Sequence, residues 1–393
     1  MTSEWHPEFL FASCQRGAEA ILKQEIALGP LNLRLAYSRP GFITFKLAEP
    51  CPRPDRLQLA STFARSWGLC LGKVQGQSLK DLVEQVWTAA EVDAFLAAEQ
   101  MTDLHVWQRD SAMPGEKGFA PGPTCLAVEA EQALRAESPN DLLRKMPMNP
   151  RQPSRRNRWV LDVVLVEPGE WWLGCHSTKR RHDCWPGGVM PLELPAHAVS
   201  RAYLKMQEAL QWSALPLSRG DLCVDLGCAP GGTSQVLLEA GLRVIGVDPA
   251  EVDCSVQEHP SFRHVRRRTP DVPAKELRGV RWLAADMNVT PSYTLDAVEE
   301  IIAQEENPVR GMILTLKFTD WKLAESLPQY VERVRSWGYR DVRTRQLAFN
   351  RQEICLVALR SRAQRRMLRG GSRHQSRKDP AHASTPSRPH LPT

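Results

Sequence analysis

Between residues 220 and 360 the chain repeats one pattern, a short apolar run stopped by a glycine or a charged residue. Val224 ends one run and Asp248 closes the next. Arg281-Trp282-Leu283-Ala284-Ala285 runs into Asp286, Met312-Ile313-Leu314-Thr315-Leu316 runs into Lys317, and Glu353 opens Ile354-Cys355-Leu356-Val357-Ala358-Leu359. Runs of that length with little polar alternation predict strands of a largely parallel sheet covered on both faces. Ahead of them, Ser200 is placed to cap a helix that carries Lys205 in its second turn. The first part of the chain is patterned differently. Ala18, Ile21, Leu22 and Ile26 recur on one helical face, Leu31-Leu33-Leu35-Tyr37 alternate as a strand, Pro40-Gly41 turns, and Phe42 to Leu47 return. With a strand at Phe11 to Cys14, this predicts a ferredoxin-like α+β unit over residues 1–60. Residues 78–100 read as helical, Leu104 to Trp107 as a short strand and Trp159 to Val166 as a longer one, with a loop rich in Pro, Arg and Gly over 111–158.

The sharpest chemical signal is Asp225-Leu226-Gly227-Cys228-Ala229-Pro230-Gly231-Gly232, followed by Arg243 to Asp248. Glycines after a strand let the backbone approach a ligand, and the amides opening the next helix face it. Asp248, at the end of the second strand, is placed to accept the hydroxyls of an adenosine ribose. The arrangement points to S-adenosylmethionine, held by Ser200, Gly227, Ala229, Pro230, Gly231, Gly232, Asp248 and Asp286. A nicotinamide site is the rival, but the loop lacks the middle glycine of G-x-G-x-x-G. A tight strand-to-helix turn without a ligand is the plain alternative. Lys205, Asp286, Lys317 and Glu353 form a second set that a cofactor loop does not require. A lysine ending a strand is usually only where that strand reaches solvent. Four charged groups at one sheet edge ask for more.

The order Lys, Asp, Lys, Glu on such a sheet, with D-L-G-x-x-P-G-G between the first two, resembles the FtsJ/RrmJ class of RNA ribose 2′-O-methyltransferases. Glu167 to Gly174, Trp185-Pro186-Gly187-Gly188 and Ser200-Arg201 with Leu204-Lys205 and Glu208-Ala209 are similar to its bacterial RlmM type, which acts on a cytidine of large-subunit ribosomal RNA. The resemblance implies a Rossmann-fold methyltransferase domain over 191–361, a THUMP-like RNA-binding region over 61–190 beside the ferredoxin-like 1–60, and a disordered basic tail over 362–393. It also implies a catalytic set of Lys317, Lys205, Asp286 and Glu353. A ribose hydroxyl is a very weak acid, so its methylation asks for a base beside it and an in-line approach to the methyl group. Lys317 is the expected base, Asp286 holds it in register with the cofactor, and Glu353 restrains Lys205. Two positions depart from the type. Cys228-Ala229 is transposed, with Thr233 in place of a tryptophan, and Arg266-Arg267-Arg268-Thr269 stands where an adenine-contacting acid is expected, leaving Asp271 as the substitute.

Composition narrows the setting. The chain has 393 residues, 42% hydrophobic and 24% charged, enough for two or three domains. It has no apolar run long enough to span a bilayer, and Met1 to Pro7 does not read as a secretion leader, so the expectation is a cytoplasmic protein with no membrane partner. Ten cysteines without C-x-x-C argue for reduced thiols and no metal site. The tail from Ser361 sets eight Arg and Lys against Asp379 alone, so although the net charge is +6 the body sums to −1. Arg151, Arg155, Arg156 and Arg158, and Lys179, Arg180 and Arg181 near Trp185, are candidate RNA-backbone contacts, as is the basic stretch Arg263 to Arg268. Each is equally a solvated face. The competing function class is an RNA-binding or ribosome-assembly protein on a methyltransferase-like scaffold with vestigial catalysis. A base N-methyltransferase would need a clamp of the N-P-P-Y kind after Asp286, and Asp286-Met287-Asn288-Val289 offers none.

Overall fold

The computed structural model describes residues 6–51, 54–99, 101–145, 152–304 and 306–361, so Arg151 and the basic tail lie outside the described residues. Two seven-stranded sheets organise the chain. The first is built from β1 (Phe9–Ser13), α1 (Glu19–Ala27), β2 (Leu33–Arg39), β3 (Phe42–Leu47), β4 (Ser66–Gln75), α2 (Leu79–Thr88), α3 (Ala90–Ala98), β5 (Met101–Gln108), α4 (Cys125–Ala136), α5 (Asp141–Lys145), β6 (Trp159–Glu167) and β7 (Glu170–Ser177). Its strand order is β2-β3-β1-β4-β7-β6-β5. β1 pairs antiparallel with both β3 and β4, so the stretches 1–60 and 61–190 share one continuous sheet rather than forming separate ones.

Several local expectations are corrected here. The 111–158 stretch is not all loop. It contains α4, capped by the Thr124 side chain on Ala127 N, with Ala127, Ala130 and Leu134 buried on one face. The helical signal over 78–100 is two helices, broken where Ala89 turns extended at ψ 125°. β2 is an edge strand, and while Leu31 and Leu33 pack against the core, Leu35 on it is 55% exposed. β4 and β7, which join the two halves of the sheet, carry no clean period-two signal because side chains on both faces are covered.

The second sheet holds α6 (Ala202–Ser213), β8 (Leu222–Leu226), α7 (Gly232–Glu239), β9 (Arg243–Val247), α8 (Cys254–Gln257), β10 (Phe262–Val265), β11 (Trp282–Ala285), α9 (Pro291–Ile302), β12 (Gly311–Lys317), α10 (Leu327–Ser336), β13 (Asp341–Arg345) and β14 (Glu353–Leu359). Its order is β10-β9-β8-β11-β12-β14-β13. The pairs from β10 to β12 are parallel, and β14 is antiparallel to both β12 and β13. This is a mixed α/β architecture. The sequence direction reverses between β8 and β11, which opens a crevice beyond their carboxyl ends. Because β14 runs the other way, its first residue reaches the edge where β12 ends, and Glu353 is the register partner of Lys317.

The two sheets share a core. Leu10, Ile21, Leu22, Phe45 and Phe63 pack into one buried cluster with Val224, Leu226, Leu316 and Ile354. Phe63 meets Trp321 edge-on at 6.0 Å. Polar contacts fix the register, since Gln346 N donates to Thr62 O at 2.8 Å and the Arg345 guanidinium donates to Arg65 O at 2.6 Å. The segment 346–352, which leads into Glu353, is therefore seated against the first sheet.

Candidate active site

The loop after β8 is shaped by close approach. Gly227 has φ +74°, and a Cβ there would lie 2.9 Å from Met287 Cα. Gly231 has φ +126°, and a Cβ would lie 2.8 Å from Val256 Cγ2. At Gly232 a Cβ would overlap Ser200 Oγ. Only glycine fits these positions without strain. The sequence expectation that Ser200 caps α6 is not met. No side chain caps that helix, and Ser200 Oγ lies buried against the glycine loop without a hydrogen-bond partner. α7 likewise begins without a side-chain cap, so its first amides remain open to a ligand.

A cavity of about 630 Å³ lies over this loop. Ser200, Gly227, Ala229, Asp248, Asp286 and Lys317, all named from the sequence, are on its wall. Pro230, Gly231 and Gly232 shape the loop but are not on that wall. Asp248 accepts Ala229 N at 3.1 Å through one carboxylate oxygen and Ala250 N at 2.8 Å through the other. Asp271 is exposed and off the wall, and Thr269, Met287 and the two arginines Arg267 and Arg268 stand there instead. Tyr293, half-exposed on α9, also faces the cavity. Sequence reasoning missed Thr269, Met287 and Tyr293. Their one sequence signal is position, since Met287 directly follows the strand end at Asp286.

The four charged groups come together as one chain of contacts. Lys205 Nζ sits 2.7 Å from Glu353 Oε1 and 3.4 Å from Asp286 Oδ2, and Lys317 Nζ sits 3.2 Å from Asp286 Oδ1. Each residue comes from a different element, namely α6, the end of β11, the end of β12 and the start of β14. Burial disfavours the Lys205 ammonium, yet Asp286 and Glu353 outweigh it and hold its pKa above the ordinary lysine value. Lys205 thus stands as the fixed cation, with two carboxylates, while Lys317 has one. Glu353 is held in turn by Asn350 Nδ2 at 3.3 Å and Arg351 N at 3.4 Å. Below the loop, burial raises the Asp225 carboxyl to about 7, against a hydrogen bond from Ser234 and with the charges of Asp286 and Asp248 adding to the rise. Burial also pushes the Cys228 thiol up, so it packs as a small apolar group and is no nucleophile.

Among the described residues one group has metal-ligand character, the buried His105, Asp162 and His176 of the first sheet. Its polar atoms are largely committed to one another and to their neighbours. His176 bonds Asp162 Oδ2 at 2.5 Å and Asp183 O at 2.8 Å, and His105 bonds Ser154 Oγ at 2.7 Å. Arg155 lines a hollow together with His105, while Lys179 and Arg180 line a smaller one together with His176. No helix among the described residues is long and apolar enough to cross a membrane.

The fold brings the glycine loop and the clustered charges to one sheet edge, and residues 198–326 match the family model described as FtsJ-like methyltransferase. The relatives are more particular. A protein named ribosomal RNA large subunit methyltransferase M from Laribacter hongkongensis is 31% identical over 201 residues, which covers 47% of this chain and 54% of that protein. A protein of the same name from Xanthomonas oryzae pv. oryzae is 27% identical over 365 residues, covering 89% of this chain and 99% of its own. In the first of these matches the chain spans about half the relative's length. Among solved structures, magnesium protoporphyrin IX methyltransferase from Synechocystis PCC 6803 with bound SAM aligns over 41% of this chain and 80% of its own, at 13% identity and a TM-score of 0.30.

Proposed function

We propose that this chain is an S-adenosylmethionine-dependent RNA methyltransferase acting on a ribose 2′-hydroxyl, that of a cytidine in large-subunit ribosomal RNA. The observation that carries the reading is the linked series Glu353, Lys205, Asp286, Lys317, whose last two members stand on the wall of the glycine-loop cavity. The cavity suits the cofactor. Gly227, Gly231 and Gly232 let the loop pack closely against Met287, Val256 and Ser200, and Ser200 Oγ lies buried there without a hydrogen-bond partner. Gly227, Ala229, Pro230, Gly231, Gly232 and Ser200 would cradle it, with Asp248 at its ribose and Asp286 at its methionine end. When bound, it supplies an electrophilic methyl group on a sulfonium.

The residues of the chain do the rest. Lys317 Nζ takes the proton from the 2′-hydroxyl, because Lys205 is already committed as a cation to two carboxylates. Asp286 touches both lysines and so sets their spacing, and Glu353 fixes Lys205 from the far side. An intact series of four favours this enzyme over an assembly factor with vestigial catalysis. We further assign 191–361 as the catalytic unit and 1–190, ferredoxin-like and THUMP-like, as the RNA-docking part, working in the cytoplasm where ribosomes are made. The test is methylation of an unmodified large-subunit ribosomal RNA transcript with labelled S-adenosylmethionine, followed by mapping of 2′-O-methyl positions. Incorporation into a base, or none at all, defeats the proposal.

A further inference from the structure

A ribose presented to Lys317 brings its own charge, because the 3′ phosphodiester hangs from the carbon next to the reacting one. The site therefore needs a cation near the lysine cluster that is not already spent on carboxylates. Several arginines among the described residues fail that condition. Arg65 is paired with Asp110, Arg135 with Asp103 and Glu131, and Arg333 with Asp296 and Glu299. Arg201 and Arg351 do not. Among the described residues no carboxylate pairs with either, Arg201 makes no side-chain hydrogen bond, and Arg351 uses only Nε, donating to Pro114 O at 2.8 Å.

These two guanidiniums converge. Both close on Gly115, whose φ is +77°. A Cβ there would overlap Arg201 and would lie 2.9 Å from Arg351 Nη2. Like charges brought together without an acid between them repel, and burial and Arg351 together lower the Arg201 pKa against the pull of Glu353. The structure keeps them together at that cost. The pair also abuts the reacting cluster through the backbone. Arg201 follows Ser200 of the cofactor cavity and precedes Lys205 by one turn of α6, and Arg351 N donates to Glu353 Oε1.

We propose that Arg201 and Arg351 form an anion site for a phosphodiester of the substrate RNA, placing the neighbouring ribose against Lys317. This rests on the methyltransferase reading above. Two guanidiniums with free Nη groups give the forked donors that a phosphate accepts. The loop around Gly115 completes the wall from the first sheet, so the site exists only when the two sheets are docked.

The probe is an unmodified large-subunit ribosomal RNA transcript, its affinity measured by filter binding across a potassium chloride series. In the full-length Arg201→Ala/Arg351→Ala variant, we expect affinity to fall 10- to 100-fold at low salt. The slope of log affinity against log salt should flatten by about 0.7 to 0.9 for each phosphate no longer neutralised, and calorimetry should find S-adenosylmethionine affinity unchanged. The Arg201→Lys/Arg351→Lys variant keeps the charge and guards against a folding artefact. It should keep the salt slope while raising the KM for the transcript. Wild-type affinity and slope in the alanine variant, with only a lowered melting temperature, would make the pair a mere staple between the sheets and overturn the proposal. A wild-type protein that binds the transcript but never methylates it would instead overturn the enzymatic reading, and leaves the phosphate site standing on the binding data.

Discussion

The two sheets bury charge in opposite ways. In the second sheet two lysines stand partly open at the edge where β11 and β12 end, Lys205 at 20% and Lys317 at 21% side-chain exposure, beside the more buried Asp286 and Glu353. In the first sheet the charges lie inside. Arg65 and Asp110 form a two-point ion pair at 2.8 and 2.7 Å and are nearly inaccessible, and His176 with Asp162 lies within the sheet itself. Ends of strands are where a ligand can arrive, so half-exposed charge there is available for chemistry. Buried pairs are satisfied internally, so they specify one packing and offer a ligand little.

That contrast is open to attack from both sides. Removing one member of a deeply buried pair strands the other charge, so Asp110→Ala should cost about 3 to 5 kcal/mol of stability, read by denaturant unfolding. Lys317→Ala, at the partly open edge, should cost much less stability and more activity. Equal losses of stability would erase the distinction. Lys317→Arg should lower kcat by a factor on the order of 10² or more, about 2.7 kcal/mol, while cofactor binding persists, because arginine keeps its proton at any accessible pH. Appreciable single-turnover methylation by this variant between pH 6 and 10 would remove Lys317 as the base.

Asp248→Ala should weaken S-adenosylmethionine binding by about 1 to 3 kcal/mol, since the ribose hydroxyls would no longer find a carboxylate. Calorimetry giving wild-type affinity would detach Asp248 from the cofactor. The smallest effect is a pH dependence of the first sheet. Burial disfavours the His176 imidazolium, but Asp162 and the Asp183 carbonyl outweigh it and raise its pKa to about 9. The folded state therefore binds a proton more tightly than the unfolded chain. That contribution is complete below the ordinary histidine pKa of about 6.5 and is lost as pH rises towards 9. Between pH 7 and 8.5 stability should drop by about 1 to 2 kcal/mol, with a flatter profile in His176→Gln. Identical profiles would mean that His176 is not the group responsible.

The half that holds the second sheet was open to reading from the chain because its charged groups sit where apolar runs stop. Asp286, Lys317 and Glu353 each mark a strand boundary, and Gly227, Gly231 and Gly232 mark a turn that only glycine fits. The first half was less legible. α4 lay unseen in a stretch dense with proline and arginine, although Thr124 with Ala127, Ala130 and Leu134 carried its signal. β4 and β7 are covered on both faces and so lack the alternation that betrays a strand. Ser200 looked like a helix cap because a serine before a helix usually is one, and the glycine loop claimed its hydroxyl instead.

By itself the sequence determined five strands of the second sheet, the glycine loop and the identity of the four charged residues, because these depend on local period, on glycine conformational freedom and on where hydrophobic runs end. Only the tertiary structure decided which lysine holds two carboxylates, that residues 9–177 share one sheet, and that Arg201 and Arg351 meet over Gly115. Those are facts of distance between residues far apart in the chain. Charge and hydrogen bonding act over a few ångströms, and only the folded backbone sets which groups come that close.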